Sequence, residues 1–248
     1  MPKIMYKESV AQCLAHAFPS LLEEDRKQLE KLGMVLHFEA DELVAQENAY
    51  FSGVYLVCRG LVYIGKYSPR TQEKRVLRFL APGEWYGLEP FFLGRAQINF
   101  QFARTIVEST LLFFDSATFR AFLDHHPQAL VDLCRWFARE VAMLEFKLTR
   151  EATESADRNL ALLLLALSNK YGVPNPDGSV FLELPLTRQT IAELLGVSVE
   201  TLMRVLRKFR ERGYIQTRRL GLVIRSREKL EELASTPELY LDIIEETL

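Results

Sequence analysis

The segment Leu186–Ile224 leaves the chain fewer structural choices than any other. Thr187 is placed to cap a short helix, Arg188–Leu195, which Gly196 ends. Ser198 is placed to cap a second helix, Val199–Arg212, which Gly213 ends. Two helices joined by a tight, glycine-containing turn are the signature of a helix-turn-helix. Ile191, Leu194, Leu195, Val197, Leu202, Val205, Leu206 and Phe209 supply its core. Tyr214–Thr217, a turn at Arg219–Gly221, and Leu222–Arg225 then read as a β-hairpin, which makes the whole a winged helix.

Charge picks out the same segment. The chain of 248 residues has a formal net charge of −2, which by itself points to no nucleic acid. Yet Arg188, Arg204, Arg207, Lys208, Arg210, Arg212, Arg218, Arg219, Arg225 and Arg227 face only Glu193, Glu200 and Glu211 over the same stretch, a local net charge of +7. From Glu228 to Leu248 one base, Lys229, stands against seven acids. Phosphate binding needs a basic patch locally rather than globally, so the winged helix is expected to contact double-stranded DNA. The acidic tail 236–248 is expected to pack as a helix on this domain or to meet a partner.

Upstream the texture changes twice. Residues 6–32 read as helical, with Ser20 as an N-cap and Glu23 at the capping-box spacing. From Met34 to Phe114, short runs such as Val54–Val57, Leu61–Lys66, Val76–Leu80 and Leu111–Phe114 alternate with Gly and Pro turns, the pattern of a small antiparallel barrel or sandwich. A long helix follows, with Pro127 at its first turn. In it Leu130, Cys134, Phe137, Val141, Leu144 and Leu148 are spaced 4, 3, 4, 3 and 4, as in the seam of a two-helix dimer. The alternative is that this stripe packs on its own domain. Another helix spans 150–170, strongly apolar at Leu160–Leu167, and Tyr171–Ser179 reads as a loop.

Several classes of function are disfavoured. The longest apolar stretch, Leu160–Leu167, is far shorter than the roughly 20 residues of a membrane span. Met1–Val10 shows no apolar signal core, so a cytoplasmic location is expected. Cys13, Cys58 and Cys134 are too scattered for a disulfide framework, structural zinc or an iron–sulfur cluster. A redox switch at Cys13 or Cys58 lacks a neighbouring resolving thiol. A metal-dependent β-barrel enzyme needs several His and Glu ligands, and the β-rich stretch holds one histidine, His37. His16, His37, His125 and His126 are candidate axial haem ligands, but no cofactor and no metal are expected.

TRQTIAELLGVSVETLMRVLRKFRERGYI resembles the helix-turn-helix of the cyclic-AMP-receptor/FNR (CRP/FNR) family of bacterial transcription regulators. GVYLVCRGLVYIGKY and LRFLAPGEWYGLEPFF resemble the β-roll sensor of that family, a module shared with kinases and channels. The resemblance implies an α+β chain: an N-terminal β-roll, cyclic-nucleotide-binding-like sensor domain over 1–125, a dimerisation helix over 126–153, and a C-terminal winged helix-turn-helix over 154–248. It further implies a homodimer, and a regulator rather than an enzyme. Such a dimer binds a two-fold DNA site and recruits or blocks RNA polymerase.

The sensor departs from its cyclic-AMP-binding relatives. Their ribose-holding Gly-Glu pair is matched by Gly87-Leu88, with Glu89 one place late. Their phosphate-holding Arg-Ser or Arg-Thr pair falls at Gln97-Ile98, so the charge-assisted phosphate clamp is missing. Carbon-monoxide-sensing relatives carry a Cys or His within Trp85–Pro90, and none is present. The expected effector is an apolar molecule or none; the alternative is a cyclic nucleotide or haem. Trp85, Tyr86, Gly87, Leu88, Glu89, Gln97, Ile98 and Phe100 are the candidate effector pocket, with Phe91, Phe92 and Phe102 nearby. The other reading of these aromatics is that they fill the space as core.

For DNA, the base-reading candidates are Ser198, Glu200, Thr201, Met203 and Arg204, at the start of the second helix. Glu200 is suited to accept from a cytosine amino group and Arg204 to bond guanine in bidentate fashion. The resemblance implies an FNR-like half-site with a TGA-like core, although Met203 stands where FNR-type relatives often carry serine. Thr187, Arg188, Arg207, Lys208, Arg218 and Arg219 are the candidate phosphate contacts.

Overall fold

Helices at the chain's start precede a run of short strands, as the turn residues dictate. The computed structural model describes residues 10–68, 70, 74–94, 98–151, 156–183, 187–195, 197–218 and 221–234. Helices α1 (Val10–Ala17) and α2 (Glu23–Leu32) lead into β1 (Met34–Phe38), β2 (Leu43–Ala45), β3 (Gly53–Arg59), β4 (Val62–Tyr67), β5 (Lys74–Leu80) and β6 (Trp85–Tyr86). A short α3 (Leu88–Leu93) then precedes β7 (Phe102–Thr105), β8 (Ser109–Asp115), α4 (Ser116–His125) and the long α5 (Pro127–Glu151).

The strands form two four-stranded antiparallel sheets, ordered β1-β8-β3-β6 and β2-β7-β4-β5. Val57, Tyr86 and Leu111 of the first pack with Val62, Ile64, Leu80 and Ala103 of the second, so the sheets face each other around an apolar interior. The opposite face of the first sheet presents Val54, Leu56, Cys58, Trp85, Leu112 and Phe114 to α1, α2, α4 and α5. Covered on both sides, β3 has no need to alternate, which is why Val54–Cys58 carries no solvent-facing polar residue.

The capping-box expectation at Ser20 is corrected. Helix α2 starts after Leu22, with no side-chain cap. The Ser20 hydroxyl instead donates to Asp132 Oδ1 at 2.7 Å, and its backbone N–H to Asp132 Oδ2 at 2.9 Å. Asp132 is buried, so these two bonds and one from Arg135 supply the partners that a buried carboxylate requires.

A second unit follows. The chain divides at Ala138/Arg139, inside α5 rather than at either of its ends, where the sequence reading drew its boundaries. Helix α6 (Ala156–Tyr171), β9 (Gly172–Pro174), β10 (Val180–Glu183), α7 (Arg188–Leu195), α8 (Val199–Glu211), β11 (Ile215–Arg218), β12 (Gly221–Ile224) and α9 (Arg227–Ala234) complete it. The sheet order is β11-β12-β10-β9. Leu160, Ala161, Leu162, Leu164, Leu165 and Leu167 are all buried, because α6 is covered by the sheet, by α8 and by α9. The loop expected at 171–179 is one-third strand: Gly172–Pro174 pairs with Val180–Leu182. Pro174 is tolerated because β9 is an edge strand, where its missing N–H breaks no ladder.

Cys13 and Cys58 are buried and Cys134 is exposed, and none of the three is in a disulfide among the described residues. Among the described residues, no helix is long and apolar enough to cross a membrane.

Candidate nucleic-acid interface

The interface is built on two capped helices. Thr187 Oγ1 accepts from the Thr190 backbone N–H at 3.0 Å, satisfying one of the open donors at the start of α7. Val197 N donates to Ala192 O at 3.0 Å and closes the turn; Gly196 lies outside the described residues. Ser198, in extended conformation, accepts from Thr201 N at 3.2 Å and starts α8. Gly213, at φ +71°, ends it in the left-handed conformation that glycine adopts at little cost.

Helix α8 sorts its residues sharply. Leu202, Val205, Leu206 and Phe209 are buried, while Glu200, Met203, Arg204, Arg207, Arg210 and Glu211 are exposed. Glu200, Arg204, Arg207 and Glu211 form a continuous outer stripe opposite the core, at helical spacings of four, three and four. Among the described residues, Arg204, Arg207, Arg210, Arg212 and Arg218 make no ion pair. These cations are therefore available to an anionic partner.

The wing is pinned. Ile215 pairs with Ile224 and Arg218 with Gly221. Arg225 donates to Asp177 Oδ2 at 2.7 Å and to Gln216 Oε1 at 2.6 Å, tying the hairpin to the turn after β9. The Ser179 hydroxyl and backbone N–H, with Arg225 alongside, hold the Asp177 carboxyl below its ordinary pKa.

The phosphate candidates fare unequally. Arg207 and Arg218 are exposed, Thr187 is exposed beside its cap, Arg188 is half-buried, and Arg219 lies outside the described residues. Lys208 differs from these: its ammonium is paired with the Asp157 carboxylate on α6. No local sequence signal links these two residues, which are 51 positions apart.

The effector candidates separate as well. Trp85 is 1 % exposed and its ring packs on Phe18, Phe114 and Phe119, so it is core beneath the sheet rather than pocket lining. Leu88 and Phe91 belong to the same cluster. Tyr86 points into the interior between the sheets, donates to Gln101 O at 2.7 Å, and has its hydroxyl pKa raised by burial. Gly87 takes a left-handed conformation ahead of α3. Ile98 is exposed, Phe100 half-buried, and Gln97 lies outside the described residues.

Glu89 faces Arg78 of β5 at 3.9 Å, and the Arg78 guanidinium lies 5.0 Å from the Trp136 ring centre on α5. Arg120 donates to Phe91 O at 3.3 Å, and Phe92 meets Phe137 edge-on at 5.7 Å. The chain's own side chains thus tie α3 to β5, α4 and α5.

The dimer-seam candidates split in two. Leu130 and Phe137 are partly buried and pack on their own unit's core. Cys134 is exposed, Val141 and Leu144 are 53 % and 51 % exposed, and the Leu148 side chain lies outside the described residues. The apolar residues that seat α5 most deeply are Ala129, Leu133 and Trp136. Their spacing of 4 and 3 repeats that of the seam one position earlier, a signal present in the sequence.

An antiparallel β-roll followed by a basic winged helix-turn-helix is the architecture of a DNA-binding transcription regulator. Comparison with known proteins agrees. The cyclic nucleotide-binding domain family matches residues 35–126 and the Crp-like helix-turn-helix domain family matches residues 159–233. The chain belongs to the CRP/FNR family of transcription regulators, whose members are not enzymes.

The chain is 28 % identical over 216 residues to the nitrogen fixation regulation protein FixK of Bradyrhizobium diazoefficiens, covering 87 % of this chain and 88 % of that one. It is 26 % identical over 217 residues to the CRP-like cAMP-activated global transcriptional regulator of Mycobacterium tuberculosis, covering 87 % and 93 %. The solved structure of FixK2 from Bradyrhizobium japonicum shares the fold, with a TM-score of 0.71 at 21 % identity over 83 % of this chain and 98 % of that one.

Proposed function

We propose that this regulator acts as a cytoplasmic homodimer that reads a two-fold DNA site with Glu200 and Arg204, without cyclic AMP. The observation that carries the reading is the outer stripe of α8. Glu200 and Arg204 stand one turn apart and exposed, beside cations that no carboxylate engages among the described residues. At the start of a helix lying in the major groove, such a pair is suited to a G·C step, while Arg207 and Arg218 serve the flanking phosphates. The exposed Val141 and Leu144 on α5 support pairing with a second copy. RNA polymerase is the partner through which a bound dimer would act.

For the sensor, the burial of Leu88 in the core and the engagement of Glu89 by Arg78 favour a site not shaped for a ribose and phosphate. No cofactor enters this reading. Activation by a cyclic nucleotide is the second reading, favoured by the cyclic nucleotide-binding domain match and by the name of the mycobacterial relative.

One titration separates them. Wild type and Arg204→Ala are measured on a matched TGA-type duplex and on single-base variants, with and without cyclic AMP. Arg204→Ala is expected to cost about 1–3 kcal/mol and to flatten preference at one base pair. Cyclic AMP is expected to leave wild-type affinity unchanged. Uniform weakening of all duplexes would refute the base-reading role, and a gain on adding cyclic AMP would refute the effector reading.

A further inference from the structure

Lys208 sits on the DNA-reading helix and yet is turned to the protein. At about 100° per residue, the outer stripe of α8 centres between Glu200, Arg204, Arg207 and Glu211, and Lys208 lies about 70° to one side. On that side its ammonium meets the carboxylate of Asp157, in the first turn of α6. Asp157 is the less exposed partner, with 19 % of its side chain accessible against 42 % for Lys208. Among the described residues, Lys208 is the one cation of α8 held by a carboxylate; Arg204, Arg207 and Arg210 are not.

A half-buried carboxylate and a lysine on the flank of a recognition helix are competitors for DNA phosphate. From this flank a four-carbon stem can swing an ammonium towards either partner. A fixed carboxylate inside the domain takes the place of the phosphodiester as the lysine's partner, without the counterion release that a phosphate contact brings. The pair also joins α8 to the start of α6, the helix that α8 packs against.

We propose that Asp157 is a positioning residue that withholds Lys208 from the DNA backbone, so that one cation of the basic patch seats the recognition helix instead of binding phosphate. Arg207, one position earlier and on the outer stripe, remains the phosphate contact. The inference rests on the assignment of α8 as the DNA-reading helix.

The salt dependence of DNA binding tests this directly, because each neutralised phosphate contributes about 0.9 to the slope of log K against log salt. Wild type, Lys208→Met, Asp157→Ala and the double variant are titrated on one duplex from low to moderate salt, with thermal melts to verify folding. Lys208→Met alone is expected to leave the slope unchanged. Asp157→Ala is expected to steepen it by about 0.9 for each DNA-binding domain engaged, as the released lysine finds phosphate. The double variant is expected to return to the wild-type slope, which a merely structural weakening of the domain would not produce.

A Lys208→Met variant whose slope falls by about 0.9 would overturn the inference, since the lysine would then already contact DNA. An unchanged slope in folded Asp157→Ala would overturn it as well. Wild-type binding with no salt dependence would sink the assignment of α8 itself, and this inference with it.

Discussion

Helices α5 and α8 both carry apolar residues at spacings of three and four, yet they present them differently. On α8 Leu202, Val205, Leu206 and Phe209 form one stripe buried in its own domain, and the face opposite is charged apart from Met203. On α5 two stripes run side by side. Ala129, Leu133 and Trp136 are buried against the β-roll unit, while Cys134, Val141 and Leu144 are exposed, with Leu130 and Phe137 between them. A single stripe has one place to go, and the polar face left over is free for a different partner. A double stripe is wider than one neighbour can cover, so the helix carries apolar surface that its own fold leaves exposed.

The contrast can be broken at several points. Replacing Val141 and Leu144 together with Glu puts two charges where the proposed dimer would bury apolar surface, at a cost of several kcal/mol. Sedimentation is expected to show a monomer with unchanged helix content, and the loss of high-affinity DNA binding with it. A variant that stays dimeric would transfer the seam elsewhere.

Trp136→Ala acts on the other stripe. It removes a ring that is 5 % exposed and over which Arg78 lies, so about 3–5 kcal/mol of folding stability is expected to go, read by chemical denaturation, with pairing retained in the protein that remains folded. If the two variants had the same effect on both assays, the two stripes would not be separate.

On α8 the smallest change is Ser198→Ala. It deletes the hydroxyl that accepts from Thr201 N, and about 1 kcal/mol of stability should follow, visible as a lower melting temperature of the winged-helix unit. Ser198→Asp keeps an acceptor at the cap and is expected to restore most of that loss.

What could be read in advance followed the range of the forces involved. The caps at Thr187 and Ser198, the glycine end at Gly213 and the wing are local, set by residues within nine positions of each other, and the structure has them close to where the sequence suggests. Ser20 is the counterexample. Its spacing to Glu23 suits a capping box, but a buried carboxylate 112 residues away took its hydroxyl. Local geometry offers a hydrogen bond; a desolvated anion needs one.

Trp85 and Leu88 failed as pocket residues for a related reason. A bulky apolar side chain lines a cavity or fills a core according to what lies over it, and here Phe18 and Phe119 come from opposite ends of the unit's sequence. On α5 the seam periodicity was visible, and so was a second stripe one position earlier. Only packing could decide which one the β-roll unit would claim more completely.

Strands β8, β3 and β6 of the first sheet carry buried apolar residues on both faces, covered by the second sheet on one side and by helices on the other, while the edge strand β1 is largely exposed. Such a layer opens only when most of the unit unfolds, so its amides belong with the slowest to exchange with solvent. The second sheet lacks a helical cover from that core cluster, and its β4 ends in the exposed Lys66 and Tyr67. β5 and α3 are joined to α5 through Arg78, Glu89 and Trp136, so a displacement of β5 would reach α5 by way of the Arg78 guanidinium. The doubly covered strands and α3 form the fixed floor against which a shift of β5 by about an ångström would be felt at α5.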